Sequence, residues 1–186
     1  MYPPPPPATE EKPTSHGLLW GILRELVETV LPAVLIAIFI TLFLAQATQV
    51  YGQSMEPNLY AGQRLIVEKI SYRLHSPHRG DIVVLRLPEQ RGNFLIKRVV
   101  GLPGEVVEVR DHKVFIDEHP IDESYLDQPI RYSMPPRRIP EDSVFVLGDN
   151  RGFSNDSRAF GPVPVSNIIG RAWIRYWPPD HLGLLY

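Results

Sequence analysis

Ser54 stands in the stretch "YGQSMEPNL", Tyr51 to Leu59, a few residues beyond a long segment with no charged side chain. A serine hydroxyl at its ordinary pKa is a poor nucleophile and needs a base. The usual partners are scarce in this chain. There is no cysteine, which excludes a cysteine nucleophile, disulfides and Cys-based zinc sites. The six histidines, His16, His75, His78, His112, His119 and His181, are scattered, with no HExxH or comparable metal-ligand spacing. They read as surface or loop residues. A lysine is then the natural base, provided it is neutral, and desolvation in apolar surroundings lowers a lysine pKa towards the working range.

Lys97 is the lysine with such surroundings. It lies in "NFLIKRVVGLPGE", among Phe94, Leu95, Ile96, Val99 and Val100. Strand alternation places Leu95, Lys97 and Val99 on one face and Arg98 on the other. Both faces of this strand are apolar, so a lysine on an exposed strand face would leave the same local pattern. A third segment, "GDNRGFSNDSRAFG", Gly148 to Gly161, follows the apolar run "SVFVL" and packs Asp149, Asn150, Arg151, Ser154, Asp156, Ser157 and Arg158 into one loop. Asp and Arg two residues apart can pair and brace such a loop, and its hydroxyls could orient a nearby base. A polar surface loop is the plainer reading.

These three segments need elements to carry them. Residues 1–16 open with "MYPPPPPATEEKPTS", a proline-rich polar tail that cannot bury enough apolar surface to fold. From Gly17 to Glu28, Leu18, Leu19, Ile22, Leu23, Leu26 and Val27 recur at helical spacing, an amphipathic lead-in. No charge appears between Glu28 and Glu56. A cleaved secretory signal would have a basic flank and a shorter apolar core. A buried core helix would carry a polar face. The length favours a membrane-spanning helix from Thr29 to about Gln49. From residue 50 to 186 short runs rich in Val, Ile and aromatics alternate with Gly, Pro, Asp and Asn, which predicts a mostly β domain. "EVVEVRDHKVFIDE" alternates on both sides of Asp111 and His112 and reads as a hairpin.

Lys and Arg number 19 against 21 Asp and Glu, a formal net charge of −2. That balance excludes a general nucleic-acid binder, which would be basic with clustered cations.

"SMEP" after an apolar segment, then "GDIVVL", "KRVVGLPGE" and "GDNRGFSNDSR", in this order, resemble the type I signal peptidase family over roughly Val50 to Tyr176. The resemblance implies a mostly β peptidase domain on one N-terminal transmembrane helix. It implies a serine endopeptidase with a Ser–Lys dyad, cutting signal peptides from exported preproteins without metal, nucleotide or other cofactor. The family's nucleophile falls on Ser54 and its general base on Lys97. Ser154 matches a serine that helps orient the lysine, Asp156 and Arg158 a supporting pair, and Asp149, Asn150 and Arg151 the start of the same block. The implied partners are signal peptides and the lipid bilayer, with the amino terminus in the cytoplasm and the catalytic domain on the outer face of the plasma membrane. Substrates of the family carry small residues one and three positions before the cut, and Met55 and Leu95 are candidate liners of the pockets that take them. The sequence departs from the family pattern in two places. Asn58 stands where Thr is usual, and is expected to make a local hydrogen bond in its turn. Gly52 stands where some members have a serine hydroxyl for the oxyanion, leaving the Ser54 N–H as the main donor. The interval between Lys97 and Gly148 is short, so the large extra β-domain of some members is expected to be absent.

Overall fold

The computed structural model describes residues 15–87 and 94–185. All but the end of the proline-rich tail lies outside them. The chain divides into two compact units, Met1–Thr41 and Leu42–Tyr186.

In the first unit, helix α1 runs from Ser15 to Phe39, with Pro32 inside it. Side chains from Trp20, Ile22 and Leu23 to Ile38 and Phe39 are exposed. The spanning helix expected from Thr29 to Gln49 does not form as such. Helical structure continues as a π-turn over Ile40–Leu44, and Ala45–Gln49 is strand β1. Among the described residues no helix is long and apolar enough to cross a membrane. Beyond Glu28 the α-helix has eleven residues to Phe39, about 16 Å at 1.5 Å per residue, against a hydrocarbon core of about 30 Å. The uncharged segment continues to Val50, but Gln46, Thr48 and Gln49 give it polar and β-branched character. There it pairs in register with β2 (Arg64–Glu68), Ala45 opposite Glu68 and Gln49 opposite Arg64.

The second unit is mostly β, as the texture of the sequence predicts. Its larger sheet has the order β1, β2 (Arg64–Glu68), β11 (Ile168–Trp177), β3 (Ile82–Arg86), β4 (Phe94–Gly101), β9 (Ser143–Leu147) and β10 (Val163–Pro164), with β12 (Gly183–Leu184) also on β11. β3 alternates its side chains between two cores. Ile82 and Val84 join Val50, Met55, Leu59 and Ile96, while Val83 and Leu85 join Val99, Val144 and Val146. A strand covered on both faces reads as a continuous apolar run, which "IVVL" does.

The smaller sheet has the order β7 (His119–Pro120), β6 (Lys113–Ile116), β5 (Val106–Arg110), β8 (Met134–Arg138). The β5–β6 hairpin forms where expected. Asp111 and His112 take φ of 49° and 62°, the left-handed pair of a tight two-residue turn. β8, "MPPRR", was invisible in the sequence because two prolines argue against a strand. It is tolerated because it lies at the sheet edge. Val107, Val109, Val114, Ile116, Ile130 and Ile139 pack with Val100, Phe145 and Leu147 of the larger sheet, so the core is continuous with the strands that carry Lys97 and the Gly148 loop.

Candidate active site

Ser54 sits in a tight turn between β1 and β2. Glu56 N–H donates to Gln53 O at 3.2 Å, and Asn58 and Leu59 N–H donate to Met55 O at 3.0 and 2.8 Å. Met55 and Leu59 plug this turn into the core, 1% and 0% exposed. Met55, taken as a pocket liner from sequence, thus lies beneath the Ser54 turn, packed among core side chains. Leu95 is half-buried and packs on the cluster of Val83, Leu85 and Val99 rather than on the Met55 cluster. Gly52 has φ of +74°, a conformation that costs glycine little and any side chain more, so a serine there would be strained.

β4 carries Lys97 opposite Val83 of β3. Lys97 is 2% exposed. Its Nζ lies 2.7 Å from Ser54 Oγ and donates to the Ile96 carbonyl at 2.9 Å. Burial lowers its pKa to about 8. The carboxylates of Asp156 and Asp149 oppose that shift, and the Arg158 cation reinforces it. The alternative of an exposed strand lysine is therefore set aside.

The Gly148 loop brings the remaining groups. Asp156 is fully buried. It accepts from Arg158 Nε at 2.7 Å, Arg158 Nη2 at 2.8 Å and the Gly148 N–H at 3.0 Å. Burial alone would raise its pKa, but the hydrogen bonds from Arg158 and Gly148 outweigh it and hold the carboxyl below the ordinary range. Arg158 also donates to the carbonyls of Arg151 and Ser154, and its guanidinium lies over the Tyr132 ring. Ser154 Oγ is buried beside Asp156; among the described residues it makes no well-formed hydrogen bond, yet its hydroxyl is near enough to help hold the Asp156 carboxyl low. A Cβ on Gly148 would collide with Ser154 Oγ and with the Ser54 carbonyl oxygen, so glycine is what lets the loop approach the Ser54 turn. Asn150 N–H donates to that same Ser54 carbonyl at 3.0 Å.

Pairing two residues apart holds for Asp156 and Arg158 but not for Asp149 and Arg151. Asp149 is bound by both arms of Arg98, Nε to Oδ1 at 2.9 Å and Nη2 to Oδ2 at 2.8 Å. Arg151 pairs instead with Glu123. Asn58 also departs from expectation. Its side chain bonds to groups 67 and 91 residues away, the Tyr125 carbonyl at 3.0 Å and Asp149 Oδ2 at 2.8 Å. Sequence reasoning missed Arg98, Glu123, Tyr125 and Tyr132. The one available signal was Arg98, a second cation inside an apolar run, which burial obliges to find a partner.

The chain matches the family model "Signal peptidase, peptidase S26" over residues 23–177. It is 43% identical to a signal peptidase I of Leptolyngbya laminosa over 98% of this chain and 91% of that one. It is 40% identical to a probable signal peptidase I-1 of Synechocystis sp. over 89% and 88%. Thylakoidal processing peptidase 1 of Arabidopsis thaliana is 37% identical over 89% of this chain and 52% of its own length. The chain therefore belongs to the signal peptidase family, peptidase S26, and is a serine endopeptidase that removes signal peptides from preproteins.

Proposed function

We propose that Ser54 is the nucleophile and Lys97 the general base of this cleavage. The observation that carries the reading is the 2.7 Å contact between Ser54 Oγ and the Nζ of a buried lysine. With Lys97 neutral the same contact runs from the hydroxyl to the amine lone pair. The hydroxyl proton passes to Nζ as Oγ attacks the scissile carbonyl. The Lys97 ammonium then protonates the leaving amine, which departs as the new amino terminus of the mature protein. The signal peptide remains as an ester on Ser54. Neutral Lys97 takes a proton from water and the hydroxide attacks the ester; as the bond from the acyl carbon to Ser54 Oγ breaks, the Lys97 ammonium returns that proton to Oγ, and the signal peptide leaves as a carboxylic acid that ionises to the carboxylate.

The Ser54 N–H supplies the main oxyanion donor, since Gly52 brings no hydroxyl. Such a donor contributes about 3–4 kcal/mol to transition-state stabilisation. The buried Ser154 hydroxyl serves to hold the ammonium once it forms. Asp156 and Arg158 brace the loop that carries Ser154.

The N-terminal segment tethers the enzyme to a bilayer; the orientation, amino terminus inside and β domain outside, rests on the family resemblance. The support for the tether is the exposed apolar surface of Val30, Leu31, Val34, Leu35, Ile38 and Phe39. Such a surface is stable in water only when covered. Acylation tests the nucleophile directly. A penem-type probe should add its mass to the peptide containing Ser54 and not to the Ser54→Ala protein. An adduct on another residue would count against the assignment.

A further inference from the structure

Asn58 binds the nucleophile turn to the rest of the site. One carboxamide carries two N–H donors where a hydroxyl has one. Asn58 Nδ2 uses them on two separate segments, Asp149 Oδ2 at 2.8 Å and the Tyr125 carbonyl at 3.0 Å. Asp149 is itself fixed, since it and Arg98 form an ion pair with side chains 1% and 4% exposed. The Tyr125 ring covers that pair, with the Arg98 guanidinium 4.2 Å from its centroid. The Tyr125 hydroxyl donates to Glu123 at 2.9 Å, and Glu123 pairs with Arg151. A second stitch lies four residues back, where the N–H of Asn150 meets the Ser54 carbonyl at 3.0 Å.

We propose that Asn58 is a positioning residue, a two-armed clamp that locks the Ser54 turn onto Asp149 and the Tyr125 segment and so sets the alignment of Ser54 Oγ with Lys97. This rests on Ser54 and Lys97 being nucleophile and base. The turn is short, and the backbone bonds from Asn58 and Leu59 to Met55 O make it stiff. A displacement at Asn58 is therefore transmitted to Ser54. A misplacement of about 1 Å at a reacting group can cost about 100-fold in rate. The clamp acts after binding, so its loss falls on kcat and leaves KM nearly unchanged.

Charge gives a second readout. The charged groups around Lys97 are Asp156, Asp149 and Arg158, and around Asp149 they are Arg98, with Glu123 and Arg151 beyond Tyr125. A carboxylate at position 58 would face Asp149, break the clamp by repulsion and add negative charge to a site where carboxylates already hold the Lys97 proton more tightly.

The test uses the full chain in detergent with a preprotein substrate, and compares N58A, N58T and N58D with the parent, scaled to the folded fraction from melting curves. N58A should lower kcat about 10- to 100-fold with KM within about threefold. N58T, which keeps one donor, should recover part of the loss. N58D should shift the pH–kcat/KM profile to higher pH. Parental kcat in N58A would overturn the clamp. So would a loss no smaller in N58T than in N58A, or an unshifted profile in N58D. Ser54→Ala runs beside them. If it is inactive while N58A is normal, only the clamp fails. If it is active, the dyad itself fails.

Discussion

Arg158 closes a two-point contact on Asp156, Nε to Oδ1 at 2.7 Å and Nη2 to Oδ2 at 2.8 Å, while the Gly148 N–H takes Oδ2 from the other side. Asp156→Ala leaves the Arg158 cation and a buried N–H without their acceptor. Breaking a buried pair from one side costs about 3–5 kcal/mol. Thermal melts should show a large loss for Asp156→Ala, with reduced activity. Ser154→Ala should lower activity with a much smaller change in melting than Asp156→Ala, since Asp156 keeps the stronger bonds from Arg158 and Gly148. The Asp156 carboxyl is held below its unfolded pKa. Its contribution is therefore present above the unfolded value and is lost as pH falls through the folded one. The parent and Asp156→Ala should converge in stability in acid. A variant as stable as the parent at pH 7 would remove the brace.

With Lys97 as the proposed base, the acid limb of activity follows from its titration. With a pKa near 8, about a tenth of the enzyme carries the neutral base at pH 7 and about nine-tenths at pH 9. The profile of kcat/KM, which reports the free enzyme, should rise about tenfold per pH unit below 8 and flatten above it. A profile flat from pH 5 to 9 would contradict a titrating lysine base.

Gly148 marks the closest approach in the site. A methyl group there would meet both Ser154 Oγ and the Ser54 carbonyl oxygen. Gly148→Ala should lower kcat by about 100-fold or more, because the atoms it displaces belong to the nucleophile turn and to its neighbouring loop. Near-parental turnover would show that the two loops can part without consequence.

How far these features could be read in advance depended on the distance over which each is decided. β3 and the β5–β6 hairpin were legible because β-branched runs and a left-handed turn pair are local properties. β1 was not, since Ala45–Gln49 continues an uncharged segment and only its pairing with β2 makes it a strand. Lys97 was ambiguous because both faces of β4 are apolar, and whether its face is covered depends on the Ser54 turn, 43 residues earlier. Asp149 stands two residues from Arg151, a spacing at which the two could pair. Its partner is Arg98, 51 residues away, a contact made by the pairing of β4 with β9.

Topology can be read by labelling, since the chain has no cysteine of its own. In intact cells a cysteine at His119, an exposed position of β7, should react with an impermeant thiol reagent, and one at Thr9 should not. The reverse pattern would invert the orientation.

Cleavage of a preprotein by the purified full chain, with Ser54→Ala, Lys97→Ala and Lys97→Arg beside the parent, bears most directly on the dyad. All three should fold, and all three should fall to background. Lys97→Arg belongs with them because arginine keeps its proton and has no lone pair to offer the hydroxyl. Near-normal cleavage by any one of the three would contradict the assignment of Ser54 and Lys97 as nucleophile and base.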